Sequence, residues 1–318
     1  MNQILDNPFP YSDTNKRYHT FSYAMKKKYG KKLAKIPLNA GFTCPNRDGS
    51  KAYGGCRFCS SEGSGDTILC AGEDLKTQYE TNLERARQKW PKAIGMAYFQ
   101  SFSNTYAPLE ELKKIYTPFY ENPEVSAISI ATRTDCFTQK MAEWFSQMQA
   151  KYNKQTWLEF GLQSIHPATA QAMNLAHTSQ DAFQATSLCH KYGLACCLHL
   201  INGLPGESKE DMLQTARFAA KLHPDAIKIH MLHLLDNSAL GQAYRKAPFP
   251  LLTQEEYVEI VCDQLEILPP EIIIERVTGD GLASDLIAPL WTMKKTITAN
   301  EIDKQLLARD SWQGKFVS

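Results

Sequence analysis

From residue 35 onward, short β-rich runs alternate with longer amphipathic stretches, and this alternation leaves few folds open. Candidate strands are Ile36 to Ala40, Ile94 to Phe99, Val125 to Ala131, Thr156 to Leu162, Leu194 to Ile201 and Ala226 to His230. Helical patterns over 73–90, 108–120, 138–151, 180–192 and 208–222 separate them. Pro108, Pro167 and a Ser208 cap with Asp211 mark helix starts, and Gly193 sits where a helix should end. Such a series reads as α/β: βα units around a parallel sheet, either doubly wound or curled into a TIM-like barrel. In both cases functional residues gather in the loops that follow the strands. The texture changes near Pro248, with a helical pattern over 253–268, a strand over Glu271 to Val277, and a turn-rich loop from Thr278 to Ser284 that holds Gly279 and Gly281. The expected organisation is a basic segment 1–35, a (β/α)6 core 36–247 and a small α/β extension 248–318.

Charge narrows the partners. Lys plus Arg number 35 against 34 Asp plus Glu, a net charge of +1 that taken alone argues against a polyanionic ligand. The sum conceals a dipolar chain. Residues 16–35 carry Lys16, Arg17, Lys26, Lys27, Lys28, Lys31, Lys32 and Lys35 with no acid among them, and Tyr18, His19, Phe21, Tyr23 and Tyr29 interleave. This segment reads either as a phosphate-contacting arm or as the solvated face of a helix. No stretch reaches the roughly 20 apolar residues of a membrane helix, and Met1 to Pro10 lacks the pattern of a signal peptide. A cytoplasmic location, with no membrane partner, is the expectation.

Nine cysteines are too few for a disulfide scaffold in 318 residues, so their grouping matters more than their number. Cys44, Cys56 and Cys59 form C-x11-C-x2-C just after the first strand, and Gly49, Gly54 and Gly55 in the spacer can take the positive φ of a loop wrapped around an inorganic centre. Structural zinc asks for four ligands, which Cys70 or His19 would have to complete. A [4Fe–4S] cluster held by three cysteines keeps one iron open for a small molecule. Position favours the cluster, because the loop after strand one of a βα fold belongs to the active site. Cys136, Cys189, Cys196, Cys197 and Cys262 fall in predicted strands or helices and read as small buried hydrophobes.

These residues carry a family resemblance. The segment Leu38 to Ser60, LNAGFTCPNRDGSKAYGGCRFCS, resembles the cluster loop of the YhcC/YtqA (MnmL-like) subfamily of radical S-adenosylmethionine (SAM) proteins, which departs from the usual C-x3-C-x2-C spacing. The same wide spacing is similar to that of the Elongator catalytic subunit, which acts on the tRNA wobble uridine. The likeness continues through YFQSFSNTYAP (98–108), ATRTDC (131–136), LEFGLQSIH (158–166), HLINGLPGES (199–208), IKIHMLH (227–233) and IERVTGDGLASDLIAPLW (274–291).

The resemblance implies a partial (β/α)6 radical SAM barrel with Cys44, Cys56 and Cys59 on the cluster. It implies SAM chelated at the open iron and cleaved by one electron to a 5′-deoxyadenosyl radical. Phe58 resembles the aromatic that packs on adenine. Where many relatives place Gly-Gly-Glu for the methionyl amine, this chain reads Gln100-Ser101-Phe102-Ser103-Asn104-Thr105, so the oxygens of Ser103, Asn104 and Thr105 stand in for the missing carboxylate. Glu159 and Gln163 are placed to bond ribose hydroxyls, a salt bridge being the alternative for Glu159. Arg133 and Asp135 pair with each other or hold the cofactor carboxylate and substrate. Asn202 to Gly206 resembles the turn that lets backbone approach adenine, and Lys228, His230 and His233 are candidates for substrate or phosphate contact.

The YtqA-like branch implies conversion of 5-carboxymethylaminomethyl(-2-thio)uridine to the 5-aminomethyl form in tRNA, finished by a separate methyltransferase. Breaking an unactivated C–N or C–C bond suits a carbon radical better than acid–base catalysis. The expected partners are tRNA through Lys16 to Lys35 and an electron donor such as flavodoxin or ferredoxin. Other readings are a radical SAM enzyme with another RNA or small-molecule substrate, and a non-catalytic zinc-containing RNA-binding protein. Methylthiolation would need a second cysteine cluster, and acetyl-CoA chemistry a domain larger than the C-terminal 70 residues.

Overall fold

A computed structural model describes residues 7–61, 63, 68, 72–279 and 283–317. Its elements run α1 (Phe21–Tyr29), β1 (Leu33–Leu38), α2 (Leu75–Lys89), β2 (Ile94–Phe99), α3 (Leu109–Glu121), β3 (Val125–Arg133), α4 (Gln139–Tyr152), β4 (Gln155–Gln163), α5 (Pro167–Ala172), α6 (Ser179–Tyr192), β5 (Ala195–Asn202), α7 (Lys209–Lys221), β6 (Ala226–Met231), β7 (Leu234–Leu235), α8 (Ala239–Lys246), α9 (Gln254–Ile267), β8 (Ile273–Arg276), β9 (Leu286–Ala288) and α10 (Lys295–Ala308). Seven strands form one sheet in the order β1-β2-β3-β4-β5-β6-β8, every neighbour parallel. This is the curled half-barrel expected of the βα series. Cys70 and Gly281 lie outside the described residues.

Local chemistry explains where the elements begin and end. Thr178, Ser208 and Thr253 each cap a helix, and Asp181, Asp211 and Glu256 answer from three residues on with full capping boxes. Gly193 closes α6 with φ 64°, a left-handed conformation that glycine adopts without a Cβ penalty. The strand expected at Glu271 to Val277 is real but is no appendage. As β8 it pairs with β6 and widens the main sheet to seven strands.

The sheet has two different faces. Its outer face packs Ile36, Phe99, Ile128, Ile130, Leu158, Phe160, Leu198 and Ile227 against helix residues such as Tyr116, Phe145 and Val261. Each such side chain contributes roughly 1.5–3 kcal/mol on burial, so this layer dominates stability. The concave face is floored by Leu33, Met96, Ala127, Trp157, Ala195 and Ala226, with Met25 and Phe21 of α1 against them. Above that floor the inward positions turn polar, which is the opening of a site.

The basic segment does not form a single arm. Thr20 caps α1 by accepting from the Tyr23 N–H at 3.2 Å, so the run of lysines is helical and sits under the floor, at the end of the barrel away from the cavity described below. Lys16 pairs with Asp303, Arg17 is buried against Asp310 at 3.1 Å, and Lys26 meets Asp13 at 2.9 Å. Lys32 lies over the Trp90 ring, 5.1 Å from its centroid. β1 starts at Leu33 rather than Ile36, which carries Lys35 into the barrel and not toward phosphate. Within this segment Lys27, Lys28 and Lys31 are exposed without a carboxylate partner among the described residues, and Lys28 is held by the Gln155 side-chain oxygen.

Candidate active site

The C-terminal ends of the strands surround a two-lobed chamber of about 140 and 260 Å³. Phe58, Cys59, Gly63, Tyr98, Gln100, Gln163 and His199 line both lobes. Cys44, Cys56, Ser103 and Arg133 belong to the smaller lobe, and Lys228, His230, His233 and Arg276 to the larger. The placement follows from topology, since every parallel strand delivers its following loop to the same mouth.

The cysteine loop is held from several sides. Asn46 donates its side-chain amide to the Asn174 carbonyl and to Cys56 Sγ, the latter at 3.4 Å. Asn174 Nδ2 in turn donates to the carbonyls of Tyr53 and Gly55 at 2.9 and 2.8 Å. Lys51 reaches Asp135 at 2.9 Å. These tethers bring Cys44, Cys56 and Cys59 to one wall of the smaller lobe. Among the described residues no three His, Cys, Asp or Glu side chains are set to hold one metal ion, so what the thiols share is a cavity wall. Thiolate character is favoured at Cys56 alone. The Cys59 thiol donates to Cys56 and pulls it down to about 7, with Arg133 and Asn46 acting the same way against burial. Cys59 rises as the donor, and burial raises Cys44. Three soft donors around a cavity that continues into a polar lobe match a cluster with an open iron and a bound nucleoside. His19 stacks on Tyr11 with Nδ1 3.2 Å from the Pro270 carbonyl, among C-terminal residues, so it does not join the cysteines.

Other expected site residues divide. Phe58, Gln100, Ser103, Arg133, Glu159 and Gln163 line the smaller lobe. Asn104 and Thr105 do not. Asn104 Nδ2 is spent on the carbonyls of Ser101 and Ala131, both at 2.9 Å, and Thr105 Oγ1 sits at 2.7 Å from Thr132 Oγ1 and from the Cys136 carbonyl. Ser103 alone of the three turns inward, because Phe102 takes φ 59° and reverses the chain. Arg133 and Asp135 pair in bidentate fashion at 2.9 Å, and Arg133 also donates to the carbonyls of Leu175 and Ala176. Gln163, with φ 58°, is set by His177, whose Nε2 lies 3.1 Å from Oε1. His177 is lowered to about 4 by burial and by Arg133. In the turn expected to approach adenine, Asn202 is tied to Gln264 of α9 at 2.8 Å and Gly203 packs on Leu252, whereas a Cβ at Gly206 would meet nothing within 4 Å.

Glu159 is committed elsewhere than to ribose. It is 1% exposed, and its oxygens meet Lys35, Ser129 and Lys228, and His199 at 3.0 Å. Glu275 takes the second contact of both lysines, the one to Lys228 at 3.1 Å. Two ammoniums and two carboxylates thus balance inside the barrel, the arrangement that makes buried charge tolerable. Burial opposes both charged forms, yet Lys228 and Lys35 hold Glu159 well below the usual carboxylate range, and Glu159 and Glu275 hold Lys228 well above its own. Burial, with Lys228 adding to it, lowers His199 to about 4. A bulge makes this possible: Ile227 pairs Ile274 but Lys228 pairs Arg276, so Glu275 is the extra residue and both it and Arg276 reach the concave side. Lys35, Tyr98, His199, Glu275 and Arg276 went unread in the sequence; the available signal was a charge at an inward position of an otherwise apolar strand.

Comparison with known proteins agrees with this geometry. Residues 43–219, more than half of the chain, match the model of the Radical SAM superfamily, and 224–308 match the Radical SAM C-terminal domain. The chain is 43% identical to the YtqA protein of Bacillus subtilis (strain 168), over 98% of this chain and 97% of that protein. It is 26% identical to a tRNA uridine(34) acetyltransferase of Methanocaldococcus infernus, over 51% of this chain but 30% of that protein. Among solved structures, the archaeal Methanocaldococcus infernus Elp3 superposes with a TM-score of 0.64 at 17% identity, covering 86% of this chain and 63% of that one, a likeness of fold. No helix among the described residues is long and apolar enough to cross a membrane. The chain therefore belongs to the radical SAM superfamily, and is an enzyme whose cofactors are a [4Fe–4S] cluster and S-adenosylmethionine.

Proposed function

We propose that Cys44, Cys56 and Cys59 ligate three irons of the cluster, and that the enzyme modifies the wobble uridine of tRNA, converting 5-carboxymethylaminomethyl(-2-thio)uridine to 5-aminomethyl(-2-thio)uridine. The carrying observation is three thiols on one wall of a cavity that runs on into a second, polar lobe. When bound, the cluster supplies the electron that cleaves the sulfonium C–S bond of SAM. This chain's residues do the rest. Phe58 offers a ring to adenine, Ser103 an oxygen to the methionyl ammonium, and Gln163, oriented by His177, a side-chain amide to ribose. Arg133, fixed by Asp135 and two carbonyls, places a guanidinium beside the cofactor carboxylate. Glu159 acts through Lys35, Lys228 and His199, and holds the wall in shape.

Similarity to a tRNA uridine(34) acetyltransferase over half of the chain supports the tRNA substrate. An electron donor such as flavodoxin or ferredoxin and a methyltransferase that finishes the product complete the reading. Two measurements test it separately. Replacing any of the three cysteines by Ser should abolish the iron and sulfide of anaerobically purified protein, whereas Cys136→Ser or Cys262→Ser should not; a colourless, zinc-loaded wild type would sink the cluster. Deleting the gene and digesting bulk tRNA should leave 5-carboxymethylaminomethyluridine to accumulate in nucleoside mass spectra, and an unchanged wobble profile would remove the substrate.

A further inference from the structure

Asn46 stands two residues after the first cysteine and is wholly buried, although its side chain is polar. The turn around it explains how. The N–H groups of Arg47 and Asp48 donate to the Cys44 carbonyl at 2.8 and 3.3 Å, and the Asn46 carbonyl accepts from the Gly55 N–H at 2.8 Å. The spacer thereby folds back until Asn46 lies beside Cys56. Its amide nitrogen carries two hydrogens. One goes to the Asn174 carbonyl, and the other spans 3.4 Å to Cys56 Sγ. The carbonyl fixes the orientation, because an amide oxygen turned toward it would set acceptor against acceptor. Oδ1 has no hydrogen-bond partner among the described residues, so what this buried amide contributes is its two donor hydrogens.

We propose that Asn46 tunes the cluster: its Nδ2–H···Sγ bond to Cys56 raises the reduction potential of the iron centre. This rests on the reading above that Cys56 is a cluster ligand. One electron added to the cluster places more negative charge on its sulfurs, and a hydrogen bond to a ligand sulfur grows stronger with that charge. The reduced form is therefore favoured over the oxidised. The step is a one-electron reduction, with the electron supplied by a flavodoxin or ferredoxin and the proton kept on Nδ2. Asn46 is a positioning residue, acting through Cys56 and not on the substrate.

The potential is read by titrating anaerobic, cluster-loaded, SAM-free enzyme and following the EPR signal of the reduced form. Asn46→Leu removes the donor at similar size, and Asn46→Ala does so without branching. Both should favour the oxidised cluster about tenfold more than wild type does, a fall of about 59 mV for one electron. Asn174→Ala is the control. It releases the carbonyls of Tyr53 and Gly55 but keeps the main-chain carbonyl that Asn46 uses, so iron should leave faster while the potential stays at the wild-type value. An unmoved or raised potential in the loaded Asn46 variants, or the same fall in Asn174→Ala, would overturn the proposal and leave the ligand reading intact. A wild type that binds no iron removes the ligand reading and the proposal with it. Where neither Asn46 variant holds a cluster, wild-type enzyme labelled with nitrogen-15 in its asparagine side chains decides. Pulsed EPR of the reduced cluster should then show a coupling to nitrogen-15, and its absence rejects the bond.

Discussion

Replacing Glu159 by Gln is the sharpest perturbation of this barrel. Glu159 is almost wholly buried and engages two ammoniums, a hydroxyl and an imidazole at once. The amide keeps the shape and removes one negative charge, so Lys35 and Lys228 are left to share Glu275, and an N–H₂ donor meets groups that are themselves donors. Removing one partner of a buried pair costs about 3–5 kcal/mol. At roughly 2 °C per kcal/mol for a chain of this size, the melting temperature should fall by at least about 6 °C. Scanning calorimetry or circular dichroism on anaerobic, cofactor-loaded protein reads this directly. The charge argument predicts a rescue: adding Lys35→Met to Glu159→Gln restores the balance of one ammonium to one carboxylate, so the double variant should melt higher than Glu159→Gln alone. A single variant within about 2 °C of wild type, or a double variant whose loss equals the sum of the two singles, would refute the reasoning. Since the folded pKa of Glu159 is depressed, its contribution is present above the usual carboxylate range and is lost only as pH falls through that lower value.

Four further outcomes follow from named contacts. His177 and His199 are both held neutral down to about 4, against about 6.5 unfolded, so the unfolded chain takes up protons that the folded one does not. Stability of the apo-protein should therefore drop between about pH 6.5 and 4, by up to roughly 3 kcal/mol per histidine, and His177→Leu should flatten the slope; a constant melting temperature across that range would contradict both assignments. A Cβ at Gly161 would lie 2.1 Å from Gln163 Nε2, so Gly161→Ala should push that amide aside and weaken SAM binding about tenfold at unchanged iron content. Reversing Lys27 and Lys31 together should reduce the salt slope of tRNA binding by about 2 if they contact phosphates, and an unchanged slope would leave them as a solvated helix face. Lys35→Glu, in contrast, should lower the melting temperature through the barrel interior rather than act on RNA.

Much of the architecture is local and so was readable along the chain. The capping residues Thr178, Ser208 and Thr253 and the terminating Gly193 act within a turn of their helices, which is why the corresponding helix bounds agree to about a residue. α1 was open between an arm and a helix face because three consecutive lysines suit both; its apolar residues Phe21 and Met25 find their purpose only against Leu33 and Trp157. The cysteine spacing was legible for the same local reason, since one loop carries all three thiols.

What holds that loop was not. Asn174 and Asp135 come from segments more than 70 residues away, and nothing in their neighbours announces a bond to Tyr53, Gly55 or Lys51. The stand-ins expected after β2 show the same limit. Ser103, Asn104 and Thr105 offer similar oxygens in sequence, but one residue at positive φ decides that only Ser103 faces the cavity. The alternation of strand and helix, and the three clustered thiols, were determined by the sequence itself, because hydrophobic period and loop chemistry are short-range properties. Tertiary structure alone decided that Lys35, Glu159, Lys228 and Glu275 neutralise one another and that His230 is left facing the lobe. Charge balance and burial depend on which strands become neighbours, and a one-residue bulge in the last of them settles which side chains look inward.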